Sequence, residues 1–124
     1  MSEALSFLPK FIQYCIDISD AVIIVEGKRD SETLRRLGIL NEIVQRGGLS
    51  LDELVDRVYH VPTIIILTDF DAKGKRLRSQ IKKEIQKRKG HGRIDPLPRQ
   101  FLYKLCRAYK ISEIEDLDRF VGIV

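Results

Sequence analysis

Cysteine is scarce in this chain, with two among 124 residues, and tryptophan is missing altogether. Cys15 and Cys106 both fall in helix-like apolar patterns and have neither a CxxC nor a Cys/His spacing. That excludes a zinc cluster or disulfide framework and leaves two reduced core thiols of a cytoplasmic protein. Long apolar runs are missing too. No stretch approaches the roughly 20 apolar residues that span a bilayer, so no membrane partner is expected. The opening Met1-Ser2-Glu3-Ala4-Leu5 lacks the basic-then-apolar order of a signal peptide. Neither an internal repeat nor a low-complexity segment is visible. At 44% hydrophobic and 32% charged residues, the chain reads as a soluble globular protein. Its length suits a single domain over residues 1–124 and is too short for a second core.

Acid is nearly absent from one stretch. Residues 73–93 hold ten basic side chains and a single acid, Glu84, so the segment carries +9 within a net +4 and leaves −5 elsewhere. A basic block on an otherwise acidic body points to a polyanion partner, because phosphates neutralised by Lys and Arg release their counterions. A solvated helix face is the plainer alternative.

Two continuously apolar runs, residues 21–25 and 63–68, read as strands buried on both faces. A weaker strand at 43–46 stops at Gly47-Gly48, and residues 93–95 suit a short edge strand ended by Pro96 and Pro98. Leu5, Leu8, Ile12 and Cys15 recur at helical spacing, with the helix starting close to Pro9. Asp30 is a candidate N-cap for a short helix carrying Leu34 and Leu37 and ended by Gly38. Ser50 and Glu53 form a capping box ahead of Leu51, Leu54, Val55 and Val58. The basic segment predicts a helix whose only buried stripe is Leu77, Ile81 and Ile85, broken at Gly90-His91-Gly92. Two tail helices are expected. The first uses Phe101, Leu102, Leu105 and Tyr109; the second starts at a Ser112/Glu115 capping box and uses Ile114, Leu117 and Val121. Tyr14, Tyr59, Tyr103 and Tyr109 fit helix patterns as packing residues, His60 follows a helix C-terminus, and His91 reads as a turn residue. Strand–helix alternation predicts an α/β fold, a Rossmann-like parallel sheet of about four strands flanked by helices.

In a parallel sheet Glu26, at the end of the first run, and Asp69, at the end of the second, emerge on one edge, where ligands bind. Asp71 can fold back to the same spot. Three hard oxygen donors suit Mg²⁺, with Mn²⁺ as a substitute, and Glu26 is otherwise placed for proton transfer. A DxD after a strand is equally read as a helix N-cap. The haloacid-dehalogenase phosphatases also use DxD but place Thr or Val where this chain has Lys73. A receiver domain needs an acidic pair ending the first strand, which is missing.

Taken together, Glu26-Gly27-Lys28-Arg29-Asp30 resembles the E-G-x-x-D motif of the Toprim domain, and residues 68–74 (Thr-Asp-Phe-Asp-Ala-Lys-Gly) resemble its T-D-x-D-x-x-G motif. The resemblance covers residues 20–95 as a Toprim core, with 1–19 as an N-terminal helix and 96–124 as a C-terminal helical extension. Toprim domains occur in topoisomerases, bacterial-type primases and small ribosomal-RNA-maturing ribonucleases. The resemblance implies that Glu26 is the general acid/base or a metal ligand, that Asp69 and Asp71 bind Mg²⁺, and that Gly27, Asp30 and Gly74 support them. Gly27 would let the backbone turn beside the metal, and Gly74 would admit a phosphate. Lys28, Arg29, Lys73, Lys75 and Arg76 would grip the strand around a phosphodiester, with Lys82 and Lys83 of the basic helix on backbone phosphate. One departure is Lys75, where topoisomerases and the ribonuclease branch place Glu; this counts against two-metal catalysis. The expected function is a Mg²⁺-dependent nuclease on RNA or DNA. The alternatives are a non-catalytic nucleic-acid-binding module in a repair or RNA-processing complex, or an interaction subunit. A protein partner could dock on the C-terminal helices.

Overall fold

A computed structural model describes residues 3–88 and 93–123; Lys89 and the expected break at Gly90-His91-Gly92 lie outside the described residues. After a 3₁₀ turn at Ala4–Ser6, helix α1 (Phe7–Asp17) leads into strand β1 (Val22–Val25) and helix α2 (Lys28–Arg36). Strand β2 (Ile43–Gln45), helix α3 (Leu51–Val58), strand β3 (Thr63–Ile66) and helix α4 (Ala72–Lys87) follow. Strand β4 (Arg93–Ile94), helix α5 (Leu97–Ala108) and a 3₁₀ helix at Ile114–Phe120 complete the order. All strand pairs are parallel, in the order β2-β1-β3-β4.

Why β1 and β3 read as unbroken apolar runs is plain from the two cores they separate. Successive residues of a strand point to opposite faces. Val22 and Ile24 of β1, with Ile64 and Ile66 of β3, pack under α3 and α4, against Leu54, Val55, Leu77, Ile81 and Ile85. Ile23 and Val25, with Ile65 and Leu67, face the other way, onto Leu8, Phe11 and Cys15 of α1 and Leu102, Leu105 and Cys106 of α5. Both faces are covered, so no alternation with polar residues survives. Burial pushes the Cys15 and Cys106 thiols up to about 12, which leaves both protonated and free.

Local signals mostly hold. Ser50 Oγ accepts the Glu53 N–H at 3.1 Å and Glu53 accepts the Ser50 N–H at 3.0 Å, as a capping box requires. Gly38, at φ +101°, ends α2 in the left-handed conformation that glycine tolerates.

Three expectations fail. Asp30 does not cap α2: Gly27 is the N-cap, and Asp30, three residues on, reaches back to accept the Gly27 N–H at 3.1 Å. No Ser112/Glu115 box forms, because residues 114–120 wind as a 3₁₀ helix with Glu113 at its N-cap. Three residues per turn puts Ile114, Leu117 and Phe120 on one face, so Phe120 is buried and Val121 exposed. Tyr103 is not a packing residue; it is 42% exposed.

Candidate metal and nucleic-acid site

Strand order reverses between β1 and β3, since β1 continues to β2 on one side and β3 lies on the other. Ligands of open α/β sheets bind at the carboxyl ends of the strands flanking such a point. Glu26 follows β1 there and Asp69 follows β3. They meet directly: the Asp69 backbone N–H donates to Glu26 Oε2 at 2.8 Å. Asp69 Oδ1 accepts the Ile114 N–H at 2.9 Å, and the Phe70 N–H donates to the Ser112 carbonyl at 2.7 Å. The C-terminal segment is thereby stitched across the loop that follows β3.

The loop itself is held by its own residues. Thr68 is fully buried, and its hydroxyl donates to the Gly74 carbonyl at 2.7 Å. Asp71 Oδ1 accepts the Gly74 N–H at 2.7 Å and caps α4. A Cβ on Gly74 would lie 2.0 Å from the Asp69 carbonyl oxygen, so what approaches Gly74 closely is the Asp69 peptide. Gly27 is extended (φ −152°, ψ −176°) with open space where a Cβ would stand, and its backbone makes no turn that needs glycine. Beneath the loop lies Arg99 of α5, 9% exposed. Its guanidinium donates to the carbonyls of Thr68 at 2.6 Å, Asp69 at 3.1 Å and Ile66 at 3.3 Å. It also stacks over the Phe70 ring, 4.6 Å from the centroid. Desolvation, and then the charge of Arg78, bring the Arg99 pKa down to about 10.

A cleft of about 420 Å³ opens at this edge. Glu26, Asp30, Asp69, Glu113 and Glu115 line it, with Lys28, Arg29 and Lys73 among them. Asp71 is not in its lining; that acid is engaged as the cap. Burial first, then the charges of Glu26, Asp30 and Asp71, push the half-buried Asp69 carboxyl up to about 7, against the pull of the Ile114 N–H. Asp30 is raised by burial and by Glu26 and Glu115, and its bond to the Gly27 N–H opposes the shift. Among the described residues one trio, Glu113, Glu115 and Asp116, brings carboxylate oxygens within 4.8 Å of one another; Glu26, Asp69 and Asp71 are not gathered that tightly. Mutually repelling carboxylates, with no Cys or His among the described residues of the lining, fit a hard divalent cation.

The basic residues divide. Lys75 and Arg78 line a separate cleft beside Phe70, and Lys82 lines a third with Arg88 and Arg93. Arg76 and Lys83 are exposed on α4. Arg88 faces α3 and pairs with Asp52, Asp56 and Glu84, so it braces the helices. Sequence reasoning missed Arg99, Glu113 and Glu115. Arg99 did leave a signal, since it shares the helical stripe of Leu102 and Cys106; nothing in the local pattern of 112–116 says that it folds back onto residue 69.

An open parallel sheet with carboxylates at its switch point is the frame of a metal-binding α/β domain. The Toprim domain family model matches residues 21–97, and the chain belongs to that family. Toprim domains bind divalent metals and serve nucleic-acid-related functions; the acidic trio Glu113, Glu115 and Asp116 lies beyond the matched residues. Among relatives, a UPF0292 protein of Thermococcus sibiricus is 38% identical over 98 residues, 79% of this chain and 75% of that protein. A UPF0292 protein of Pyrococcus abyssi is 36% identical over 99 residues, 79% of this chain and 72% of that protein. The solved structure of a putative protein from Aquifex aeolicus superposes with a TM-score of 0.70 at 23% identity, covering 90% of this chain and 95% of that one, which supports the fold. No helix among the described residues is long and apolar enough to cross a membrane.

Proposed function

We propose that the chain is a Mg²⁺-dependent nucleic-acid phosphodiesterase, a small Toprim nuclease acting on RNA or DNA, with residues 20–95 as its core and the terminal helices as extensions. The observation that carries this reading is the Glu26–Asp69 pairing at the strand switch point, bordered by Lys28, Arg29 and Lys73. Glu26 and Asp69, with Asp71 behind them, would hold Mg²⁺ or Mn²⁺. A bound cation there would polarise the phosphodiester and acidify a water. Glu26 is fixed through Oε2, which leaves Oε1 either to bind that cation or, where Asp69 and Asp71 hold it, to take a proton from the attacking water. Lys28, Arg29 and Lys73 orient the strand through its phosphates.

A second reading, nucleic-acid binding without turnover, draws on Lys75 and on the engagement of Asp71 as a cap. Cleavage of structured RNA and single-stranded DNA with Mg²⁺ or Mn²⁺ separates the two. The nuclease reading expects turnover that Glu26→Gln and Asp69→Asn each abolish. Equal cleavage by the wild type and both variants would refute it, and salt-sensitive binding without turnover would favour the second.

A further inference from the structure

Beside the 69–71 loop, lined by other residues than the acidic edge, lies a cleft of about 370 Å³, at the low end of the ~300–1,000 Å³ of small-ligand sites. Helix α4 lines it with Lys75 and Arg78, α5 with Arg99, Gln100 and Tyr103, and the loop with Phe70. Arg99, Gln100 and Tyr103 lie beyond the residues that the family model matches, so the family assignment does not account for them.

Among the described residues the lining contains no acid. Among the described residues no carboxylate pairs with Lys75 or Arg78, whereas Lys28, Arg36 and Arg88 all have acidic partners. Arg78 also lies close enough to Arg99 for its charge to lower that pKa. Asp69 and Glu26 act on Arg99 in the opposite sense, but among the described residues Lys75 and Arg78 have no paired carboxylate, and such cations at the mouth of a cleft favour an anion. An anion alone would need no ring, yet Tyr103 presents one. Its neighbours Leu102, Leu105 and Cys106 are buried while Tyr103 is 42% exposed, with its ring 5.8 Å from the core ring of Phe70. Gln100, also exposed, adds a donor and an acceptor suited to a base edge. Cation, aromatic face and amide together are the recognition chemistry of a nucleotide.

We propose that this cleft seats one unpaired nucleotide of a single strand, with its base on Tyr103 and its phosphate on Lys75 and Arg78. This rests on the nucleic-acid reading above and narrows it. A base within a duplex is covered on both faces by its neighbours and cannot reach a side-chain ring, so the cleft selects unpaired segments. Lys73 borders the acidic cleft and Lys75 the aromatic one, so a strand seated on Tyr103 is guided over the loop towards Glu26 and Asp69.

The test is fluorescence anisotropy in EDTA, with no divalent cation, using labelled oligo-dT, oligo-U and a blunt-ended duplex of two complementary strands. Single strands are expected to bind more tightly than the duplex. Tyr103→Ala should weaken single-strand binding about 5- to 150-fold, the range that one base–aromatic stack supplies, and leave duplex binding within about twofold. Tyr103→Phe should retain wild-type affinity because it keeps the ring. A 2-aminopurine reporter in the strand should be quenched by the wild type and not by Tyr103→Ala. Tyr103 lies at the surface, and circular dichroism confirms that each variant is folded.

Equal affinity for strand and duplex, or indifference to Tyr103→Ala, overturns the proposal. Binding of adenosine monophosphate that depends on Tyr103, with no oligonucleotide binding, would assign the cleft to a free nucleotide and also overturn it. Because the assay needs neither metal nor turnover, loss of the nuclease reading leaves its outcome untouched. Turnover that persists without any dependence on Tyr103 would remove this proposal alone.

Discussion

Replacing Asp69 by Asn removes one charge from the crowded edge and keeps the shape and the acceptor for the Ile114 N–H. Asp69 ionises near 7 in the folded protein against 3.8 for an ordinary aspartate. Between those values the native state binds the proton that the unfolded chain has lost. Stability therefore falls as pH rises from about 4 to about 7 and is level above. A pKa raised that far would correspond to ~4 kcal/mol unscreened; the carboxyl is only half-buried, so solvent reduces the penalty to about 1–2 kcal/mol. Asp69→Asn escapes it. In EDTA at pH 8 the variant should melt about 3–10 °C above the wild type, and the gap should close near pH 4. Adding Mg²⁺ or Mn²⁺ at pH 8 should then raise the wild-type melting temperature and leave the variant unmoved. Thermal unfolding followed by circular dichroism at pH 4, 6 and 8 reads all of this. A variant that is less stable than the wild type at pH 8, or a gap independent of pH, would refute the crowded-carboxylate account.

Two further outcomes follow from the loop. Arg99→Leu strips the guanidinium from three carbonyls at the end of β3 and should cost about 2–3 kcal/mol in urea denaturation, with Arg99→Lys recovering only part because an ammonium cannot span the same acceptors. An unchanged midpoint for Arg99→Leu would contradict the bracing role. Gly74→Ala drives a methyl into the Asp69 carbonyl and should cost about 1–3 kcal/mol, with a drop in Mn²⁺ affinity measured by calorimetry; wild-type affinity would show that the loop yields elsewhere.

Much of the fold was legible because burial leaves a periodic trace. Residues 22–25 and 64–67 send alternate side chains into two different cores, and an unbroken apolar run is what that requires. Glu26 and Asp69 could be placed on one edge because parallel strands share a direction. The misreadings lie where one sequence pattern admits two geometries. Asp30 and Gly27 are both credible starts for α2, and the local bond from the Gly27 N–H to Asp30, three residues on, makes Gly27 the cap. Ser112 and Glu115 have capping-box spacing, but the segment winds three residues per turn, which exchanges Val121 for Phe120 in the core. Of the DxD, Asp71 takes the cap reading, and Asp69 lines the acidic cleft. Glu113 and Glu115 reach the site only through a long-range fold-back that no local pattern encodes.

The bond from Ile114 to Asp69 joins residues 45 positions apart, and a ribosome makes them in order. At about 5–20 residues per second, Asp69 waits ~2–9 s before its partner exists. Until then one oxygen of Asp69 has no partner from the C-terminal segment. The edge is completed by residues made after every strand of the sheet. A released chain truncated near residue 110 would contain all four strands and leave the acidic rim unlatched.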